Sequence, residues 1–225
     1  MAEHKDNLVE NAQKQLLNIE AFTEKNQKAL MIGGGAIVLI IGGLLYLFMQ
    51  YLPEQNLKAQ KAMYMAEFAF AKDSFDLALN GNAAYKGFAN VADNYSMTKA
   101  GKLAQYYAGI SCLNLKKFDD AIKYLDKFST DDPIIGALRL NALGDAYAEK
   151  GQMDQAVKQY QNAASFSDNE KYTPLYLFKT GAAYEYLKDY TQAEKYYTQV
   201  RDLYPNSDES RDIEKYIARA GAAAK

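Results

Sequence analysis

The chain has 225 residues, a formal net charge of −2, one Cys, one His and no Trp, enough for one compact domain with an accessory segment. A single Cys rules out an intramolecular disulfide, and a lone histidine, His4 near the N-terminus, removes the Ser–His, Cys–His and common zinc arrangements. Basic and acidic residues nearly balance from Glu54 onward without a basic stripe, so nucleic acid finds no electrostatic footprint.

Residues 1–28 form a short polar segment. Val9, Ala12, Leu16, Ile19 and Thr23 recur at alternating steps of three and four, the spacing of one amphipathic helix face. The segment is too short and its pattern too weak for a coiled coil.

Residues 29–52 carry no charge, and "ALMIGGGAIVLIIGGLLYLFMQYLP" reads as a membrane span. As a helix, residues 30–52 reach about 34 Å, against a hydrocarbon core of about 30 Å. Tyr46 and Tyr51 sit where interfacial aromatics are expected. A cleaved signal peptide fits badly, because a long polar segment precedes the apolar run and no small-residue cleavage site follows. The only cysteine, Cys112, lies far downstream, which leaves no lipoprotein anchor. Lys14, Lys25 and Lys28 precede the span and Lys58 and Lys61 follow it, a slight bias toward a cytoplasmic N-terminus. Gly35, Leu39, Gly42 and Gly43 share one helix face and would permit close contact with another helix, the route to an oligomer.

Residues 53–225 repeat themselves. Gly109, Gly144 and Gly181 are each followed after three residues by Cys112, Tyr147 or Tyr184, and after twelve by Ala121, Ala156 or Ala193. Four residues further stand Leu125, Tyr160 or Tyr197; Phe128, Ala163 and Val200 close the series, with Pro133 and Pro205 after the first and third copies. The pattern resembles the tetratricopeptide repeat, a helix–turn–helix unit of about 34 residues. The Trp of the fullest signature is missing, and Gln105, Leu140 and Leu177 stand in its place. In this reading Gly and Ala let the two helices of one repeat cross closely, and the Tyr and Leu positions fill the space between repeats. Asp119, Asp154 and Thr191 are placed to cap or charge-complement a helix start, and Gly151 suits a left-handed helix end.

A divergent upstream copy aligns Ala84 with Ala193, Phe88 with Tyr197, Val91 with Val200 and Tyr95 with Tyr204. Its first helix, over Leu57–Leu79, presents Leu57, Tyr64, Phe68, Ala71 and Phe75 on one face, with Lys72 replacing the repeat Gly. After the last copy, Ile213, Tyr216 and Ile217 share the apolar face of a capping helix. The predicted fold is therefore all-α: a transmembrane helix, then a helical solenoid of repeats at about 57–100, 102–136, 137–173 and 174–207, with a capping helix at 208–220.

The layout of short N-terminal segment, single span and repeat domain resembles a bacterial family of inner-membrane proteins that includes the ancillary subunit of the Sec translocon. "DSFDLALNGN" followed by "TKAGKLAQYYAGISCLNLKKFDDAIKYLDKF" looks like repeat proteins of this kind in Bacteroidetes. The resemblance implies a periplasmic repeat domain and protein partners, namely chaperone, translocon or envelope components. It brings no catalytic motif and implies no cofactor or metal. Two other functions fit the same layout: a structural subunit of an envelope assembly, and a receptor for peptide tails facing the cytosol.

Nothing in the residues points to catalysis. There is no Gly-rich phosphate loop, since the GGG run lies in the apolar stretch, and the Asp119–Asp120 and Asp131–Asp132 pairs sit at helix starts and turns. Cys112 occupies the repeat's Tyr position and reads as a small core residue. In stacked repeats the first helices line a concave groove, which here places Leu103, Tyr106, Ile110 and Leu113 beside Asn141 and Asp145. Leu138, Ala148, Leu175, Phe178, Ala182 and Glu185 complete this surface. With Asn141 its one carboxylate-binding side chain, the groove is expected to refuse a C-terminal carboxylate. Asp145 and Glu185 over an apolar floor are expected to prefer an apolar segment carrying a basic residue.

Overall fold

A computed structural model of the chain describes residues 2–166 and 168–225, with the side chains of all of these except 2–13 and 16–21. The amphipathic positions Val9, Ala12, Leu16 and Ile19 lie outside the described side chains, and Thr23 is exposed. The chain divides into two compact units, Met1–Glu54 and Gln55–Lys225.

The first unit is one long helix, α1 (Ala2–Tyr46), interrupted at Asn26, where φ is −111° and ψ is 15°. The Asn26 side-chain amide donates to the Phe22 carbonyl at 2.9 Å, giving a helix acceptor a partner. From Ala29 to Tyr46 every side chain is exposed, including Ile32, Val38 and Leu39. A π-helical turn follows at Leu47–Tyr51, in which the Leu52 N–H donates to the Leu47 carbonyl. Pro53 accounts for it, because proline has no N–H to give the carbonyl four residues back and its ring presses on that carbonyl. The wider turn relieves both. Among the described residues this is the one helix long and apolar enough to cross a membrane.

Among the described residues the second unit contains α2 (Leu52–Phe70), which begins just before it, and the further α-helices α3 (Phe75–Asn80), α4 (Phe88–Asn94), α5 (Lys99–Asn114), α6 (Phe118–Lys127), α7 (Pro133–Glu149), α8 (Met153–Phe166), α9 (Thr173–Tyr186), α10 (Tyr190–Leu203) and α11 (Ile213–Ala223). Helix starts are built from local chemistry. Thr98 accepts from the Gly101 N–H, Asp132 from Ile134 and Ile135 ahead of Pro133, and Asp189 from Gln192.

Three antiparallel hairpins, α5/α6, α7/α8 and α9/α10, follow the three copies read in the sequence. Each turns through a left-handed residue seven after the repeat Gly: Lys116 (φ 59°), Gly151 (φ 73°) and Lys188 (φ 63°). Asp73 (φ 55°) makes the same turn in the first copy, and seven residues back stands Ala66, fully buried. The first copy's register is thereby corrected, since Ala66 rather than Lys72 replaces the Gly. Ala78, fully buried on α3, takes the place of Ala121, Ala156 and Ala193, while Ala84 is exposed in a loop. That loop splits the second helix: Gly81 (φ 71°) bridges to Lys86, and a Cβ on Gly81 would stand 2.4 Å from the Tyr85 carbonyl oxygen. The helix resumes in α4, where Phe88 and Val91 are fully buried.

One packing expectation is also corrected. Leu57, Tyr64 and Phe68 are exposed on α2, by 51, 67 and 53%, and the buried face is Ala59, Met63, Ala66 and Ala69. Close helix approach selects the small side chains and turns the large ones out. The atoms nearest each repeat Gly belong to the large residue sixteen positions on. A Cβ at Gly109 would lie 2.6 Å from Leu125 Cγ, at Gly144 2.4 Å from Tyr160 Cε1, and at Gly181 2.7 Å from Tyr197 Cε1. The large residue sixteen positions on seats itself over the Gly of its own hairpin, which is why that position must lack a side chain.

At the far end, α11 packs Ile213 and Ala220 against α10, with Tyr216 and Ile217 half-buried beside them. Its other face is charged and exposed, and it closes the stack as a solenoid end requires.

Candidate protein-binding groove

Two clefts open along the first-helix face. One, of about 460 Å³, lies between α5 and α7 and is lined by Leu113, Lys116, Phe118, Asp145, Ala148 and Tyr160, with Asn114 and Glu149 at its edge. The other, of about 450 Å³, lies between α2 and α5, where Met63, Tyr64, Ala100 and Leu103 meet Gln60, Glu67 and Lys99. Both fall in the range of about 300–1,000 Å³ typical of ligand sites.

The residues expected to form one groove are divided by the structure. Leu103 lines the α2–α5 cleft, and Leu113, Asp145 and Ala148 line the α5–α7 cleft. Tyr106 and Ile110 are half-buried packing between repeats: the Tyr106 ring lies 5.5 Å from Phe128, and Ile110 packs against the Leu125, Ala142 and Leu143 cluster. Burial, with Tyr107 and Tyr172 nearby, pushes the Tyr106 hydroxyl up to about 12. Phe178 is covered by the last helices, 5.5 Å from the Tyr197 ring and 4.9 Å from Tyr216. Of the remaining positions, Leu138 and Leu175 are half-buried and Ala182 is exposed.

The two expected carboxylates are already matched. Asp145 accepts from the Tyr160 hydroxyl at 2.7 Å and from Lys179 Nζ at 2.7 and 2.9 Å. Lys179 also donates to Asn141 Oδ1 at 2.9 Å, and Asn141 Nδ2 donates to Asp145 at 3.3 Å. This network crosses from α7 to α8 and α9. Burial and the adjacent Asp145 charge hold the Tyr160 hydroxyl well above the ordinary phenol range. Glu185 accepts two hydrogen bonds from Arg219 of α11, at 2.6 and 2.7 Å, and one from Tyr197 at 3.0 Å. Burial alone would raise the Glu185 carboxyl, but these donors and the Arg219 charge outweigh it and leave it lowered. The attraction of these two carboxylates for a basic ligand is therefore corrected, because each already holds a cation of the chain.

Sequence reasoning missed Lys179 and Glu67. The signal for Lys179 lay in the repeat frame: Asp145 stands one residue after its Gly and Lys179 two before the next Gly, positions that meet across neighbouring first helices. Glu67 was lost with the first copy's register. Cys112 is buried, and burial pushes its thiol up to about 11, the state of an inert core thiol. Among the described residues no three His, Cys, Asp or Glu side chains are grouped to hold a metal ion.

Residues 135–206, which run from α7 past the end of α10, match a family model described as tetratricopeptide repeat. A search of curated proteins finds no match to the chain.

Proposed function

We propose that the protein is a non-enzymatic scaffold that holds other proteins at a membrane through the first-helix face of its repeat stack. The observation that carries this reading is the pair of clefts between successive first helices of tetratricopeptide hairpins. Solenoids of this kind bind partners on such extended surfaces. Anchoring by residues 29–52 is supported by a helix exposed at every position from Ala29 to Tyr46, where the core helix of a soluble protein would bury its apolar side chains. The lysine bias favours residues 1–28 in the cytoplasm and 53–225 on the outer side of a bacterial inner membrane. The architectural resemblance extends the proposal to chaperones and to secreted or envelope proteins near the translocon as partner classes.

The test is site-specific photo-crosslinking in intact membranes. A photoreactive side chain at Ala148 or Tyr64, facing the clefts, is expected to yield protein adducts that the same group at Lys158, exposed on α8, does not. The same adducts from Lys158, or none from the clefts, would place the interface elsewhere. Tyr106 and Phe178 are unsuitable positions because both pack within the stack.

A further inference from the structure

Solenoids end in elements whose outer face is polar. At the C-terminal end α11 meets that requirement with a charged outer face. At the N-terminal end α2 does not. Its inner side follows Ala59, Met63 and Ala66 to the half-buried Phe70, while its outer side follows Leu57, Lys61, Tyr64, Phe68 and Ala71, all exposed. The Ala71 N–H still donates to the Glu67 carbonyl at 2.9 Å, so the outer stripe keeps helical geometry to its end. Both stripes advance by alternating steps of four and three, the spacing at which one helix meets another along its length. The stack covers the inner stripe and leaves the outer one open.

The open stripe is apolar except at its centre. With Met65 at its edge, it leaves about 400 Å² of large apolar side chain in solvent, roughly half of what each partner contributes to a standard interface. Such an area is too small to pair freely diffusing chains. Two chains held in one membrane meet at a much higher effective concentration, and there a smaller contact suffices.

We propose that the outer stripe of α2 is a seam that receives the same stripe of a second copy of this chain. The proposal rests on the anchoring in the scaffold reading above. Because α2 directly follows the apolar stretch of residues 29–52, two anchored chains start their α2 helices from the same membrane face, and the pair is parallel. Leu57, Tyr64 and Phe68 then meet their own copies. Lys61, the one charge within the stripe, costs stability but selects a single register, as a lone polar seam residue does in coiled coils. The Lys72 ammonium lies 4.1 Å from the Phe68 ring centroid, at the seam's edge. In this register it stands opposite Glu67 of the other copy, an opposite-charge pair that fits the parallel alignment.

The experiment uses the full chain in its membranes, with single cysteines at Tyr64, at Phe68 and, as control, at Lys158, exposed on α8. Native Cys112 is buried and stays in place. Under copper-phenanthroline and air, Tyr64→Cys and Phe68→Cys are expected to give disulfide-linked dimers in about tenfold higher yield than Lys158→Cys. Adding Leu57→Ser and Phe68→Ser to Tyr64→Cys is expected to bring its yield to the control level with melting temperature unchanged. Lys61→Leu is expected to raise the yield, and a lower yield overturns the seam. Control-level yields at both seam positions, in a chain that resists alkaline extraction from the membrane, overturn the pairing and leave the anchoring intact. A chain released by that extraction defeats both. Crosslinks to a different protein in place of a second copy assign the face to another partner and overturn the proposal. So does a dimer that survives the serine substitutions and is lost in Gly42→Leu, which places the contact in the apolar stretch.

Discussion

Gly144→Ala tests the packing rule at the centre of the stack. The added Cβ would stand 2.4 Å from Tyr160 Cε1 and 2.5 Å from Cδ1, where ordinary contacts begin near 3.4 Å, so the ring must retreat by about 1 Å. It cannot do so freely: Tyr160 is 5% exposed, and its hydroxyl is tied to Asp145 at 2.7 Å. Overpacking of this kind costs about 1–3 kcal/mol, and a strained hydrogen bond adds up to about 1 kcal/mol. Replacing Gly by Ala inside a helix returns about 1 kcal/mol. The net expectation is a loss of up to about 3 kcal/mol, or up to several degrees of Tm.

The decisive measurement is a double-mutant cycle, by circular dichroism of the full chain in detergent with guanidinium as denaturant. In a Tyr160→Ala background the ring is gone and only the propensity gain remains, so Gly144→Ala should stabilise by up to about 1 kcal/mol. Gly151→Ala serves as the control. It has open space but a φ of +73°, so it should cost about 1–2 kcal/mol in either background. An equal cost of Gly144→Ala with and without Tyr160 would refute the assignment of this Gly to the Tyr160 ring.

Three further outcomes follow from the same structure. Ala156→Leu, at a fully buried position beside Val157, Tyr160 and Ala183, should overpack the stack by about 1–3 kcal/mol, and an unchanged melting temperature would contradict that burial. Because the Glu185 carboxyl is held below its usual 4.5 when folded, its contribution is complete above that pH and fades as pH falls through the lowered value. Wild type should therefore melt above Glu185→Gln near neutrality and converge with it in acid; a gap independent of pH would show that the Arg219 pair contributes nothing. A periplasm-active reporter fused at Lys225 should report, and activity of only the cytoplasm-dependent version would reverse the proposed orientation.

The helical copies at Gly109, Gly144 and Gly181 were legible because three aligned positions recur together, and no strand pattern or isolated amphipathic helix reproduces that spacing. The capping helix was legible from Ile213, Tyr216 and Ile217, whose steps fit one face. The first copy was misread for a physical reason. A search for large apolar side chains at helical steps finds Leu57, Tyr64 and Phe68, whereas closely crossing helices bury Ala59, Ala66 and Ala69. The left-handed turn at Asp73 carried the correct register, but Asp at positive φ leaves a fainter mark in a sequence than Gly151 does. The groove was half legible. Periodicity placed Leu103, Leu113 and Asp145 on one surface, and all three line clefts, but it does not show which neighbour a charge meets, as with Lys179 at Asp145 and Arg219 at Glu185.

That distinction separates the charges of the surface from its apolar walls. Asp145–Lys179 and Glu185–Arg219 each join a first helix to the element stacked after it, and a charge pair that spans such a seam fixes its register as well as its energy. On the proposed scaffold reading, ligand recognition falls to the apolar cleft walls at Met63, Ala100 and Leu103. Substitutions should sort accordingly. Changes at Asp145, Lys179, Glu185 or Arg219 should lower melting temperature and alter binding only as far as folding is lost. A change at Tyr64 should alter binding with melting temperature preserved. A Lys179→Met variant that melts like wild type yet loses partner crosslinks would reverse that division and return the α7–α9 network to the binding surface.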